Sequence, residues 1–232
     1  MNEPHHSHGG PVDTAHLFHL LRLTFTQGLG PVLISRLLQR TGSAEAALSL
    51  SPSQLQTIEG IGPAKAASIA LSMAASADPA RAELELAQSL GVHVIALGDP
   101  RYPPLLAEIP SPPPLIYVKG TIDHADLDRF PAAIVGSRDC THYGLEQARR
   151  FAGGLASAGV TIVSGGARGI DSAAHLGALN SGGRTIAVLG CGLATIYPPE
   201  NRELFERVVA SGALVSELPH FTPASGRAHG VP

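Results

Sequence analysis

The chain predicts an α/β fold with a doubly wound, mostly parallel sheet, preceded by a small all-α domain. Three observations carry this. From Pro131 onward, apolar β-type runs alternate with amphipathic helical stretches. Residues 13–78 show only helical periodicity. Within that helical part, two turns of the form Gly-apolar-Gly-Pro each lead into a new helix.

Residues 1–12, MNEPHHSHGGPV, read as a flexible polar start. His5, His6 and His8 there could bind a metal, but a polar tail is the reading taken. In residues 13–78 the apolar positions Leu17, Leu20 and Leu21, then Leu33, Leu37 and Leu38, then Leu55 and Ile58 recur at helical spacing. Gly28-Leu29-Gly30-Pro31 precedes VLISRLL, and Gly60-Ile61-Gly62-Pro63 precedes AKAASIA. Proline suits the first helical position, where its missing N–H costs nothing. The pattern resembles the helix-hairpin-helix motif, whose hairpin amides can hold a DNA phosphate. The bland reading is a compact helical domain that merely needs tight turns. On the first reading Gly60, Gly62 and Lys65 form a second DNA contact, with Arg36 the basic group nearest the other hairpin.

Residues 79–232 read as a Rossmann-like domain. RAELELAQSL is a connecting helix capped at Gly91, followed by the strands VHVIAL and LIYVKG, with a proline-rich stretch between them. Residues 123–130 are a charged connector. Then come the strand AAIVGS, the helix LEQARRFAGGLASAG, the strand VTIVSGG, the helix DSAAHLGALNSGG, the strand RTIAVLG, the helix ENRELFERVVASG and the strand ALVSELP. Sheets of this kind bind ligands beyond the carboxyl ends of their strands, near the point where strand order reverses.

Bulk properties narrow the function. Hydrophobic residues make up 44% of the 232, with 26 Gly and 19 Pro, as in a globular protein rich in turns. No apolar run is long enough to span a bilayer and no signal core opens the chain, so the expected location is the cytoplasm. Cys140 and Cys191 have no CxxC spacing and read as idle thiols. The formal net charge is −3, and residues 131–232 hold eight Arg against seven acidic groups. Any nucleic-acid site is therefore a local pocket rather than a basic face.

The unusual residues fall at the strand ends. The first strand of the alternating region ends in Gly136-Ser137-Arg138. The second ends in Ser164-Gly165-Gly166-Ala167-Arg168-Gly169, with Asp171 just beyond, and the third in Gly190-Cys191-Gly192, followed by YPPEN with Asn201. Glycines let backbone amides approach an anion, and the next helix adds its positive end. Arg138 and Arg168 offer forked donors suited to phosphate. The competing reading is tight βα turns with solvated arginines. The set holds no catalytic residue pair and no metal-ligand or cofactor motif. GSRDCTHYG does not fit the dinucleotide fingerprint, and no Walker A sequence occurs. His175 could be a general base, but on an apolar helix it reads as a packed histidine.

At these residues the sequence resembles the DprA/Smf family, the DNA-processing proteins of natural transformation. The matching segments are VGSR with Tyr143-Gly144, SGGARGID with Ala174-His175 and Gly177-Ala178-Leu179, TIAVLGCG, YPPEN, and upstream RYPPLLAEIPSPPPLIYVKG. The helical part is similar to the family's SAM-like domain. The resemblance implies a protein, not an enzyme, that binds and protects incoming single-stranded DNA, helps load RecA on it, and self-associates at full length. Ala194 departs from the Asp that many members carry. The family also continues past Pro223 into an FPxRNR segment and further strands, where this chain reads ASGRAHGVP. The expectation is a sheet cut short, with ALVSELP left as an uncovered edge. The alternative function is a nucleoside-monophosphate phosphoribohydrolase, whose PGGxGTxxE loop carries a catalytic Glu. Here the loop has Arg168 and Asp171, and no Glu follows in that helix.

Overall fold

The computed structural model describes residues 14–224. His5, His6 and His8, and the last eight residues, lie outside that range. The described residues form two compact units: 14–82 with Ala96–Tyr102 and Leu106–Pro114, and Glu83–Ile95 with Pro103–Leu105 and residues 115–224.

The first unit contains α1 (Thr14–Thr24), α2 (Pro31–Thr41), α3 (Ala44–Leu48), α4 (Pro52–Leu55) and α5 (Pro63–Ala75), with the start of α6 (Ala77–Leu90). Leu21, Leu23, Ile34, Leu37, Leu55 and Ile69 are fully buried at its centre. Both expected Gly-Pro starts are present: Gly30 and Gly62 are extended N-caps with proline at the head of α2 and α5. Gly28 and Gly60 take φ of 85° and 91°, a left-handed conformation that favours glycine.

The sheet belongs mainly to the second unit. Its strands are β1 (Val92–Ala96), β2 (Leu115–Gly120), β3 (Pro131–Ala133), β4 (Thr161–Gly165), β5 (Thr185–Val188) and β6 (Ala213–Ser216), in spatial order β1-β2-β6-β5-β4-β3. Between them lie α7 (Pro104–Ala107), α8 (His142–Ser157), α9 (Ile170–Asn180) and α10 (Arg202–Ser211). β3, β4, β5 and β6 run parallel, and β2 joins β6 antiparallel. Right-handed crossovers between strands laid down in order put α8, α9 and α10 on one face, where α9 packs against both others. The core beneath them is Ala152, Ala156, Ile162, Ala174 and Ala178, with Ile134 and Val160 packed against it. Small residues set that spacing: a Cβ on Gly177 would lie 2.8 Å from the Cα of Arg149.

Two expectations are corrected. The strand ALVSELP is not an edge: β6 is buried throughout and hydrogen-bonded to β5 on one side and β2 on the other. A strand from far upstream fills the place that local sequence left open. Nor does a reversal of strand order gather the candidate loops, since β3 to β6 follow one another in sequence among the described strands. They meet because parallel strands end on the same side.

Candidate nucleic-acid interface

The three loops after β3, β4 and β5 share the carboxyl side of the sheet, and the first two interlock. The Ile170 amide at the head of α9 donates to the Ser137 carbonyl at 3.2 Å. Gly169, with φ of 79°, sits against the carbonyls of Ser137 and Arg138, so closely that a Cβ there would lie 2.8 Å from the Arg138 oxygen. Gly136 meets the Ile170 side chain in the same way, at 2.7 Å. Glycine is required at each of these close approaches, and the crowding fixes the two loops as one surface.

Several predicted site residues turn out to hold that surface rather than face outward. The Ser164 hydroxyl donates to the Ile134 carbonyl at 2.5 Å. The Ser137 hydroxyl turns back on its own loop, donating to the Asp139 carbonyl at 2.7 Å and accepting the Asp139 amide at 3.1 Å. Asp171 is buried beneath Gly165, its Oδ2 2.5 Å from where a Cβ would stand. Gly166 is closed in by Leu189 and Phe205. Asn201 is buried, and its amide nitrogen donates to the Gly166 carbonyl and the Ser172 hydroxyl, both at 2.9 Å. Ser172 in turn donates to the Ala167 carbonyl at 2.7 Å. Asn201 thus pins the second loop from the third.

The third loop divides. Gly190 is exposed, and a Cβ there would meet nothing within 4 Å. Gly192 has no free amide: its N–H donates to the Thr222 carbonyl at 2.9 Å, and its Cα is pressed against the backbone of Pro219 and His220. The expectation that Gly192 holds a phosphate is therefore corrected. Cys191 is buried, and burial pushes its thiol up from the ordinary range, which fits an idle thiol rather than a nucleophile.

Both arginines face solvent, with the carboxylates of Asp139 and Glu200 exposed beside them. Arg138 is exposed and forms no ion pair among the described residues. Arg168 is also largely exposed, and its Nε is paired with the Glu200 carboxylate.

His175 underlies the loop, fully buried. The Gly165 carbonyl, 2.8 Å from Nε2, can only accept, so Nε2 carries the proton. Nδ1 lies 2.6 Å from the Thr185 hydroxyl on β5. Burial holds the ring's pKa below its usual value despite the Gly165 carbonyl and the Asp171 charge. His175 is the packed histidine expected, and it orients the Gly165 peptide. Sequence reasoning missed that role, because the partner carbonyl is ten residues away and on a different element.

In the helical unit the two hairpins pack reciprocally. A Cβ on Gly28 would meet Ile69 and Lys65 of α5 at 3.5 and 3.9 Å, and one on Gly60 would meet Arg36 and Leu33 of α2 at 3.3 and 3.4 Å. Arg36 is bound to Glu59, donating to its carbonyl at 2.7 Å and pairing with its carboxylate at 3.4 Å. Lys65 reaches the Gly60 carbonyl at 3.4 Å, while the α5 N-cap Gly62 lies exposed beside it. No group of three His, Cys, Asp or Glu able to hold a metal occurs among the described residues. No helix among them is long and apolar enough to cross a membrane.

The profile of the family described as DNA recombination-mediator protein A matches residues 93–229, and that of the DprA-like N-terminal HHH domain matches residues 14–86. The chain belongs to the DNA recombination-mediator protein A, or DprA/Smf, family. Protein Smf of Synechocystis is 43% identical over 195 residues, covering 83% of this chain and 48% of that protein. Protein Smf of Escherichia coli is 45% identical over 132 residues, covering 56% and 35%. The chain therefore spans half or less of these relatives' length. The X-ray structure of DNA processing protein A from Streptococcus pneumoniae matches with a TM-score of 0.71 at 29% identity, over 90% of this chain and 70% of that one. DNA processing protein A from Helicobacter pylori, solved for its single-stranded DNA binding mode, matches with a TM-score of 0.50 at 31% identity, over 58% of this chain and 60% of that one.

Proposed function

We propose that the chain binds single-stranded DNA through the joined Gly136–Arg138 and Gly165–Gly169 loops, as the DNA-binding part of a transformation and recombination mediator. The observation that carries this is the exposure of Arg138 and Arg168 on two loops locked together by Gly136, Gly169 and Ile170. Exposed guanidinium groups beside glycine-rich backbone suit a phosphodiester chain, which needs fixed donors and no chemistry. The single-stranded DNA binding of the Helicobacter pylori relative supports the same reading.

The site is not catalytic in this reading. His175 is buried and bonded, Asp171 is covered, and Glu200 is engaged with Arg168, so none of these three stands free as an acid or base at the loops. Partners follow the family: RecA, loaded on the bound strand, and a second copy of the chain, both acting in the cytoplasm. Gly60, Gly62 and Lys65 offer a second phosphate contact.

The deciding experiment titrates the purified chain against a labelled oligothymidylate, a nucleoside monophosphate and NAD. The proposal expects binding of the oligonucleotide alone and no release of free base. Tight binding or hydrolysis of the monophosphate would instead support the phosphoribohydrolase reading.

A further inference from the structure

We propose that Tyr143 and Tyr197 stack nucleobases on opposite flanks of the Gly165–Gly169 loop; this rests on the single-stranded DNA reading above. The chain has four tyrosines and no tryptophan. Tyr102 and Tyr117 are buried, whereas Tyr143 is 70% and Tyr197 47% exposed. Burial normally hides rings of this size, so two open ones beside one loop require an explanation.

Each ring is tied to that loop through its neighbours. Tyr143 is the second residue of α8, and the next residue, Gly144, sits against Ile170, where a Cβ would lie 3.5 Å from Cδ1. Ile170 directly follows Gly169 and bonds the Ser137 carbonyl. Tyr143 therefore stands at the rim where the first and second loops join. Tyr197 precedes the short turn Pro199–Asn201, whose Asn201 bonds Gly166 and whose Glu200 pairs with Arg168. That places it on the third-loop side. Of the other exposed aromatics, Phe130 precedes β3, at the opposite end of the sheet, Phe151 lies two turns further along α8, and Phe221 stands beside the third loop, between His220 and Thr222, whose carbonyls accept the Ala194 and Gly192 amides.

A phosphate seated at the loop carries one nucleoside on its 5′ side and one on its 3′ side. A ring on each flank meets those two bases face-on. Stacking accepts any base because every base has a π-face, and it needs bases freed from a duplex. The phosphates supply charge to Arg138 and Arg168 while the rings select single strands.

The absence of tryptophan makes the test direct, since tyrosine emission is read without interference. Wild-type chain is titrated with oligothymidylate and with an abasic oligomer of equal length, following tyrosine emission and anisotropy. Tyr143→Ala, Tyr197→Ala and their Phe counterparts are titrated alongside, with thermal melting to check the fold. Oligothymidylate, and not the abasic strand, is expected to quench emission. Each Ala variant is expected to lose about fivefold or more in affinity for oligothymidylate, with abasic binding unchanged and the Phe variants near wild type. Should an Ala variant fail to fold, the wild-type quenching decides. Binding without quenching, or equal loss on both oligomers, overturns the stacking proposal alone. A wild-type chain that binds neither oligomer overturns the single-stranded DNA reading and this proposal with it.

Discussion

The guanidinium of Arg168 is paired through Nε with the carboxylate of Glu200, across the gap between the second and third loops. Both side chains are at least half exposed, so the pair is worth little to stability. Its consequence is for binding, because a phosphate approaching Arg168 must displace or neighbour a carboxylate. Glu200→Gln is expected to raise affinity for an oligonucleotide, by roughly fivefold or less given the ~0.2–1 kcal/mol of exposed pairs. The gain should fade as salt screens the charges. Anisotropy titrations of both proteins at two salt concentrations check this, and unchanged affinity would mean Arg168 does not meet the strand.

The buried His175 ring predicts an acid-sensitive fold. Its folded pKa lies below the ordinary value of about 6.5, so unfolding takes up a proton. The stability it contributes is complete above that value and is lost as pH falls through the folded pKa. Melting temperature should therefore drop with acidification below about pH 6.5. His175→Asn should melt lower at pH 8 and show a shallower acid slope. An identical slope in the variant would assign the acid sensitivity elsewhere.

Arg184 and Asp128 form an enclosed ion pair in the second unit, 2.9 Å apart, with side-chain exposures of 20% and 4%. Arg184 also donates to the carbonyls of Ser211 and Thr121. Burial pushes the Asp128 carboxyl up, but hydrogen bonds from Arg184, the Asp123 amide and Thr161, with the Arg184 charge, hold it below the usual range. Removing one partner strands the other, so Arg184→Met should cost about 3 kcal/mol in urea unfolding. Asp128→Asn should cost a comparable amount near neutral pH and progressively less as pH falls below the ordinary carboxylate value of 3.8 and through the lower folded value.

Much of this was legible in the sequence because the signals were local. Alternating runs placed every strand from β3 to β6, and the Gly-Pro turns placed the starts of α2 and α5. What stayed hidden was non-local. The antiparallel seat of β6 beside β2 depends on residues about a hundred positions apart, and no local pattern marks that pairing. β3 is shorter than AAIVGS suggests, since only Pro131–Ala133 form the ladder before the chain turns toward Arg138. At the candidate site, residue type was visible but occupancy was not. Asn201, Ser164 and Gly192 look like free donors in sequence, yet each is committed to a backbone carbonyl elsewhere in the fold. Arg138 and Arg168 both stay exposed, Arg168 with the Glu200 carboxylate against it, and their role toward phosphate is the proposal.

The central claim is that Arg138 and Arg168 grip the phosphates of a single strand. It is tested by measuring how oligothymidylate affinity falls with salt for wild type, Arg138→Ala and Arg168→Ala, each with its fold verified by melting. Every phosphate contact on a single strand contributes about 0.7 to the slope of log K against log salt. Each variant is therefore predicted to bind more weakly at low salt and to show a slope reduced by about that amount. Wild-type affinity and wild-type slope in both variants would contradict the account.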